Sequence, residues 1–274
     1  MAWCNANGVK TWYESHGEGP VVLLIPGRGL DGKSWLPQIS AYSEHFRVIS
    51  YDPRGVGQTQ TGPGEFDVRD LAEDAAALLV NLGIAEAHVA GFSLGGIVAM
   101  HLATMRSAVK VRSLMLHSTT HRIYPHWRWR QRLALQILEH DDADLWSSFS
   151  AFTAFGAEFI NANEQIVLEE MTKRAAKWRV MSPAEKEGVK AQIRALTTQE
   201  LDDEIARINV PTLVTVGSSD EVTRPEYARA IADRIAGAKF FLFNGGPHRV
   251  STFMKEEFNR VTLQFLLEQK SRVA

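Results

Sequence analysis

The chain has 274 residues, of which 45% are hydrophobic and 23% charged, and its formal net charge at pH 7 is −2. This length is within the usual size for one large α/β domain, and the composition is typical of a soluble globular protein. The small net charge gives no long-range attraction to nucleic acid or to anionic membranes, so we expect neither as a partner.

Cys4 is the single cysteine of the sequence, so no disulfide can form within the chain. The first seven residues have no basic stretch followed by a long apolar core, which a secretory signal would require. No apolar window of about 18 residues is long enough to span a bilayer. These features predict a cytoplasmic protein.

Strand and helix patterns alternate over the first 118 residues. Strand-like runs occupy residues 9–14, 21–25, 46–51, 88–90 and 111–116. Helical patterns lie between them at residues 35–44, 70–82 and 94–105. This alternation predicts an α/β fold, with a mostly parallel sheet and helices on both of its faces.

The alternation stops at Thr119, and no strand pattern returns before residue 212. The residues between are helical in character and rich in large aromatic side chains, and Ser182-Pro183-Ala184-Glu185 is typical of a capped helix start. Strands at 212–216 and 239–243 then alternate with helices at 225–235 and towards residue 267. We therefore expect a core of residues 1–118 and 209–274, with residues 119–208 inserted as a helical cap.

A glycine-flanked serine follows the fourth of these strands, where Gly91-Phe92-Ser93-Leu94-Gly95 matches G-x-S-x-G. A small-residue helix begins directly after it. In such a strand–turn–helix the serine hydroxyl stands clear of the sheet on a strained backbone. The pattern predicts Ser93 as a nucleophile; taken alone, it leaves open a glycine-rich turn with a capping serine.

A nucleophilic serine needs a histidine to take its proton, and the histidine needs a carboxylate that fixes its tautomer. Asp220 follows the strand at 212–216, and His248 follows the strand at 239–243. With Ser93, both lie at the carboxyl ends of strands, where open α/β sheets place their sites. We predict Ser93, Asp220 and His248 as a catalytic triad, with Glu221 as the alternative acid.

Four segments together resemble the α/β-hydrolase superfamily over essentially the whole chain: residues 51–59 (YDPRGVGQT), 91–96 (GFSLGG), 211–225 and 246–248 (GPH). The sequence is most similar to the branch that contains 3-oxoadipate enol-lactonase and related carboxylesterases. Residues 155–160 (FGAEFI) resemble a lid segment of that branch. The resemblance implies a serine hydrolase with an α/β core and a helical cap.

The resemblance also implies an oxyanion hole made by two backbone N–H groups. One would come from Leu94, the residue after the nucleophile, and the other from Arg28 in the loop after the strand at 21–25. Similar hydrolases usually have His-Gly where this chain has Pro26-Gly27. The Arg28 side chain either enters the pocket and pairs with a substrate carboxylate, or points to solvent or to the cap.

The same loop contains an alternative motif. Gly27, Gly29 and Gly32 match the dinucleotide-binding fingerprint, and Asp52 follows Gly32 at the separation expected of a ribose-binding acid. Pro37 falls in the first turns of the helix that such a site requires, at a cost of about 3 kcal/mol unless it is near the start. This interpretation also leaves Asp220 and His248 unexplained, so the hydrolase interpretation is favoured.

A basic and aromatic run opens the predicted cap, formed by His121, Arg122, His126, Trp127, Arg128, Trp129, Arg130 and Arg132. Such a run can bind nucleic acid, but the net charge of −2 favours an amphipathic cap helix. His117, His121 and His126 do not share one helical face, and Pro125 interrupts any helix across them, so we expect no metal site. The cap aromatics are expected to line an apolar pocket above Ser93.

These features predict hydrolysis of a small carboxylic ester or lactone that has an apolar portion, through an acyl-enzyme and with no metal or organic cofactor. Cleavage of a C–C bond in a vinylogous or β-diketone substrate by the same triad is one alternative. A ligand receptor with little turnover, built on the same fold, is another.

Overall fold

The computed structural model describes residues 1–62, 64–197 and 200–270. The strands are β1 Ala2–Ala6, β2 Val9–His16, β3 Val21–Ile25, β4 Arg47–Tyr51, β5 Glu86–Phe92, β6 Lys110–His117, β7 Thr212–Gly217 and β8 Lys239–Phe243. The helices are α1 Leu36–Tyr42, α2 Val68–Asn81, α3 Leu94–Thr104, α4 Pro125–Glu139, α5 Ala143–Ala162, α6 Glu164–Val180, α7 Pro183–Leu196, α8 Pro225–Arg234, α9 Val250–Phe253 and α10 Lys255–Lys270. Short 3-10 helices lie at Gly32–Trp35 and Ile205–Arg207.

All eight strands form one sheet in the order β1-β2-β4-β3-β5-β6-β7-β8. The pairs β1·β2 and β2·β4 are antiparallel, and every pair from β4·β3 to β7·β8 is parallel. The predicted α/β fold with a mostly parallel sheet is therefore confirmed. Its six parallel strands bring all of their carboxyl ends to one edge, which is where a site can be assembled from distant parts of the chain.

The sequence analysis missed strand β1. It pairs with β2 through a two-residue turn at Asn7 and Gly8, whose φ angles are 51° and 78°. Two successive positive φ values define the tight hairpin turn that Asn-Gly favours. The Asn7-Gly8 pair is thus the sequence signal that predicts this hairpin.

Two apolar clusters cover the two faces of the sheet. On one face α2 packs on β1 and on α3, α3 packs on β5 and β6, and α8 packs on β7, with Leu79, Ile97 and Ile231 among the buried side chains. On the other face α1 and α10 cover the sheet, with Tyr42, Phe258 and Leu266 buried. Strand β5 is buried on both faces because it lies at the centre, which explains its apolar sequence up to Ser93.

Helices α4 to α7 form a helical segment between β6 and β7, defined here as residues 125–196 and called the α4–α7 segment. It has apolar clusters of its own, one around Trp146 and Trp178 and one around Phe155 and Phe159. The residues after it return to the main core, where Leu201, Ile205 and Ile208 are buried. The division at residues 118/119 and 208/209 stays a prediction.

Among the residues that the structure describes, no helix combines the length and apolar character needed to cross a membrane.

Three buried histidines make the stability of the fold sensitive to pH. Burial lowers the pKa of His88 to about 4 and that of His117 to about 3, and it lowers the pKa of His121 to about 4. Each pKa is below the unfolded value of about 6.5, so the unfolded chain binds more protons and stability falls as the pH falls below about 6.5. Between pH 7 and pH 5 each histidine is expected to remove about 2 kcal/mol from the free energy of unfolding.

Urea denaturation at the two pH values measures this loss. His117→Gln is expected to reduce the pH dependence by about 2 kcal/mol, because its ring lies buried between Trp35 and Phe258. His126→Gln, on the exposed side of α4, is the matched control and should leave it unchanged. Equal stability of the wild type at pH 7 and pH 5 would contradict the prediction.

Candidate active site

Ser93 lies in a sharp turn between β5 and α3. Its φ of 54° and ψ of −114° are outside the regions that L-residues favour, which is the strain expected of a nucleophile on such a turn. Ser93 N donates to His117 O at 2.9 Å, and Thr119 Oγ1 donates to Ser93 O at 2.7 Å, so the end of β6 holds the strained residue. A Cβ on Gly95 would overlap the Ile25 carbonyl, which explains the second glycine of the motif.

The structure brings together the three residues predicted as a triad. His248 Nε2 lies 3.2 Å from Ser93 Oγ, and His248 Nδ1 lies 2.7 Å from Asp220 Oδ2. The imidazole is buried against Phe92, with 4.9 Å between the ring centroids. This is the geometry in which a histidine can take the serine proton while a carboxylate holds its other nitrogen.

Asp220 is fully engaged in hydrogen bonds. Its Oδ1 accepts from Val222 N and Thr223 N, both at 2.9 Å, and its Oδ2 accepts from Thr223 Oγ1 at 3.0 Å as well as from His248. Glu221, the alternative acid, is exposed and lies 3.8 Å from Arg224. The structure therefore places Asp220 beside the histidine and Glu221 away from it.

Thr223 was missed by the sequence analysis although its hydroxyl lies 3.3 Å from His248 Nδ1 and donates to Asp220. The sequence does contain a signal for this role, because a hydroxyl three residues after an aspartate can donate a hydrogen bond to the aspartate carboxylate.

A kink in α5 supports both of the loops that carry Asp220 and His248. Gly156 has φ 68° and ψ 162° inside that helix, and a Cβ there would overlap the Ser219 carbonyl. Two residues earlier, Ala154 O accepts from His248 N at 2.7 Å. Ser219 Oγ donates to Glu158 Oε2 at 2.9 Å. The α4–α7 segment is thus packed directly on the loops that position the acid and the histidine.

The two N–H groups predicted for an oxyanion hole are free of other acceptors. Within residues 1–62, 64–197 and 200–270, neither Arg28 N nor Leu94 N donates a hydrogen bond. The next N–H in the loop, that of Gly29, donates to Gln192 Oε1 at 2.8 Å, and Gln192 Nε2 donates to Arg54 O at 3.1 Å. A buried side chain of α7 therefore holds this loop in place.

A cavity of about 420 Å³ opens above Ser93, between the carboxyl edge of the sheet and the α4–α7 segment. Its aromatic wall comes from Phe92, Trp127, Trp146 and Trp178. Two other aromatic residues of the predicted cap, Trp129 and Phe152, are 70% and 74% exposed, so the expectation that the cap aromatics line the pocket is correct only in part. Trp129 follows Trp127 by two positions, and residues two apart on a helix point to different sides.

The Arg28 side chain enters this cavity. Its Nη1 donates to Gln131 Oε1 of α4 at 2.8 Å, and its guanidinium lies 5.4 Å from the centre of the Trp146 ring. Burial and the nearby Arg174 lower the pKa of Arg28 to about 10, so it remains charged at neutral pH. The side chain is therefore directed away from solvent; it lines the pocket and also contacts α4 and α5 of the predicted cap, and its pairing with a substrate carboxylate stays a prediction.

Asp52, considered for a dinucleotide site, and His117 and His121, considered for a metal site, form hydrogen bonds with other residues of the protein. Asp52 accepts from Gly32 N at 2.9 Å and from Gln58 N at 2.8 Å, so its carboxylate joins two loops. His117 Nδ1 lies 2.8 Å from Thr215 Oγ1, and His121 Nε2 lies 2.9 Å from Asp202 Oδ1. Asp52, the residue that would bind a ribose in the dinucleotide interpretation, is thus engaged within the protein, which counts against that interpretation.

Comparisons with known proteins give similar chains over nearly the whole length. "Putative carbamate hydrolase RutD" of Stutzerimonas stutzeri (strain A1501) is 27% identical over 267 residues, which cover 96% of this chain and 98% of that protein. The crystal structure of an enol-lactonase from Burkholderia xenovorans LB400 is 26% identical with a TM-score of 0.82, and the match covers 97% of this chain and 100% of that one. A thermophilic esterase from Thermogutta terrifontis, solved with malate bound, is 27% identical with a TM-score of 0.80, over 95% of this chain and 94% of that one.

A family model described as the alpha/beta hydrolase fold matches residues 20–251. This match includes β3 to β8, the serine turn and both loops that carry Asp220 and His248, and it confirms the superfamily resemblance found in the sequence. The chain belongs to the alpha/beta hydrolase fold family.

Proposed function

We propose that the protein is a serine hydrolase that cleaves a small carboxylic ester or lactone with Ser93, His248 and Asp220 as its catalytic triad. The observation that carries the proposal is the continuous line of contacts from Ser93 Oγ to His248 at 3.2 Å and from His248 to Asp220 at 2.7 Å. The strained backbone of Ser93 at the mouth of the cavity supports the same assignment.

In the proposed reaction Ser93 Oγ attacks the substrate carbonyl carbon while His248 Nε2 takes the serine proton. The carbonyl oxygen becomes an oxyanion that accepts hydrogen bonds from Arg28 N–H and Leu94 N–H. Collapse of this intermediate breaks the acyl–oxygen bond, and His248 gives its proton to the departing alkoxide. Water then attacks the acyl-enzyme with His248 as base, releases the acid and restores the serine hydroxyl.

The substrate is expected to be a small molecule with an apolar portion, because the cavity is about 420 Å³ and its aromatic wall lies above Ser93. The α4–α7 segment is proposed to act as a cap within residues 119–208, between core parts 1–118 and 209–274. The similar enol-lactonase and esterase favour ester-like bonds. The single cysteine and the net charge support a cytoplasmic protein without a nucleic-acid partner.

The carbamate named for the Stutzerimonas stutzeri relative makes a carbamate ester the second candidate, since the same nucleophile can attack a carbamoyl carbon. Cleavage of a C–C bond in a vinylogous or β-diketone substrate uses the same triad and is a further outcome of the test. So is ligand binding with little turnover.

Steady-state turnover of matched p-nitrophenyl acetate, p-nitrophenyl carbamate, a γ-lactone and a β-diketone distinguishes these candidates. The proposal expects the ester or the lactone to have the highest kcat/KM, and Ser93→Ala to abolish its hydrolysis. A higher kcat/KM for the carbamate or the diketone would overturn the bond assignment. Binding without turnover of any of them would overturn the enzymatic assignment.

A further inference from the structure

The cavity above Ser93 holds far more positive than negative charge. Seven of its lining side chains are cationic and two are acidic, although the whole chain has a formal net charge of −2. The arginines come from separate elements: Arg28 from the loop after β3, Arg130 from α4 and Arg174 from α6. Folding therefore adds charge from the loop after β3, from α4 and from the loop that carries His248 to the Lys173, Arg174 and Lys177 of α6.

Both acidic groups already have cationic neighbours. Glu170 lies 3.0 Å from Lys173 and 3.8 Å from Arg249, and Asp31 lies 3.9 Å from Lys177. Among the described residues no carboxylate oxygen lies within 4.0 Å of the guanidinium groups of Arg28, Arg130 or Arg174. Within the described part of the chain, these three positive groups therefore form no ion pair, although Asp220 acts on Arg130 and Glu170 acts on Arg174 from farther away.

Of the three arginines, Arg130 has the strongest need for a hydrogen-bond acceptor. Its side chain is 7% exposed, and its Nη2 donates to Thr153 Oγ1 at 2.8 Å. Its Nε and Nη1 are buried and have no acceptor in the described part of the protein. A buried charged donor without an acceptor costs folding free energy, so an arginine at this position is better explained by a ligand that supplies the acceptor.

Arg28, Arg130 and Arg174 line the same cavity as Ser93 and His248. Burial, followed by repulsion from Arg28, lowers the pKa of Arg130 to about 9, while the Asp220 carboxylate opposes that shift. Burial and repulsion from Arg249 likewise lower the pKa of Arg174 to about 10. All three arginines remain protonated at neutral pH, and an anion between them would relieve their mutual repulsion.

We propose that Arg28, Arg130 and Arg174 form a subsite for a carboxylate of the substrate, a short acyl chain away from the carbonyl that Ser93 attacks. This inference rests on the proposed function and narrows it to anionic esters or lactones. The planar guanidinium of an arginine can donate two parallel hydrogen bonds to the two oxygens of a carboxylate. Arg130 keeps one such fork, because Nη2 has a second N–H beside the one that it donates to Thr153, and Nε or Nη1, which have no acceptor, completes it. Arg28 connects the two parts of the site, because its backbone N–H is assigned to the oxyanion and its side chain to the carboxylate.

Calorimetric titration at low ionic strength with glutarate and with its neutral isostere glutaramide tests the subsite without any turnover. The wild type is expected to bind glutarate and not glutaramide. Arg130→Met is expected to weaken glutarate binding about 30-fold or more, as the loss of one partner of a buried charge pair does. Arg132→Met, the same change two positions along α4 on an exposed residue outside the cavity, should leave the affinity unchanged.

Equal binding of glutarate and glutaramide, or an unchanged affinity in Arg130→Met, would overturn the proposal. Tighter binding of inorganic phosphate than of glutarate would overturn its assignment to a carboxylate. Arg130→Lys covers the case in which Arg130→Met does not fold: it keeps the positive charge but loses the fork, and it is expected to weaken glutarate binding while glutaramide stays unbound. Affinity equal to that of the wild type in Arg130→Lys would overturn the role of the fork.

Melting temperatures separate the binding role from a structural one. Without ligand, Arg130→Met should melt at or above the wild-type temperature, because it removes a buried charge that lacks a partner. At the same glutarate concentration the wild type and Arg132→Met should gain more stability than Arg130→Met. A lower melting temperature in Arg130→Met with unchanged glutarate affinity would show a structural role and overturn the subsite.

Glutarate binding in a protein whose Ser93 is unreactive would contradict the hydrolase proposal alone, and a reactive Ser93 without glutarate binding would contradict the subsite alone.

Discussion

Asp220→Asn is expected to lower kcat about 10⁴-fold, a loss of about 5.5 kcal/mol in transition-state stabilisation, with little change in the melting temperature. The reason lies in the donors around the carboxylate. Val222 N and Thr223 N both donate to Oδ1, so the amide oxygen of the asparagine must take that position. Its NH₂ group then faces His248 Nδ1, which at present lies 2.7 Å from Oδ2.

An NH₂ group in that place donates to Nδ1 and moves the ring proton to Nε2, the nitrogen that faces Ser93. His248 would then be unable to accept the serine proton, although every side chain stays in its position. Glu221→Gln is the matched control, because it changes the adjacent carboxylate in the same way at an exposed site. An Asp220→Asn enzyme with kcat within tenfold of the wild type would show that the imidazole does not depend on this carboxylate.

Gly156→Ala is expected to reduce the free energy of unfolding by about 2–6 kcal/mol, since it adds a backbone cost of about 1–3 kcal/mol to overpacking of about 1–3 kcal/mol. Its φ of 68° and ψ of 162° form a combination that only glycine adopts readily, and the new Cβ would overlap the Ser219 carbonyl. The overlap can be relieved only by moving α5 or the loop that carries Asp220. Such a shift is expected to lower kcat/KM about 10²-fold.

Gly237→Ala separates the two effects. Gly237 has a φ of 73°, close to that of Gly156, but an added Cβ would meet no atom within 4 Å. It should therefore lose only about 1–2 kcal/mol of stability, the left-handed backbone cost, with unchanged kcat/KM. Urea denaturation and initial rates on the same preparations measure both quantities. Equal effects of the two substitutions on kcat/KM would refute the role assigned to the α5 kink.

The fold could be predicted because its parallel strands are short, apolar and separated by recognisable helices. Strands β3 and β8 begin and end at the predicted residues, and the candidate positions Ser93, Asp220 and His248 follow from strand ends alone. Position after a strand is local information, whereas the meeting of those strand ends follows from the parallel topology. That is why three residues far apart in the chain could be named together.

What the sequence did not reveal depends on contacts between the α4–α7 segment and the core. The kink at Gly156 and the Ala154 contact with His248 join residues whose proximity no local pattern encodes. Arg130 had a usable signal, because it lies three positions after Trp127 and so shares its buried helical face. Arg130 was not recognised because it lies in a run of alternating basic and aromatic residues, and most arginines of that run are exposed to solvent.

Reaction with a serine-directed alkyl phosphonate, followed by intact-mass measurement and peptide mapping, tests the central claim most directly. The account predicts one phosphonyl group per chain, attached to Ser93, with no adduct in Ser93→Ala and slow labelling in Asp220→Asn. Absence of an adduct in the folded wild type, or an adduct that persists in Ser93→Ala, would contradict the assignment of Ser93 as an activated nucleophile.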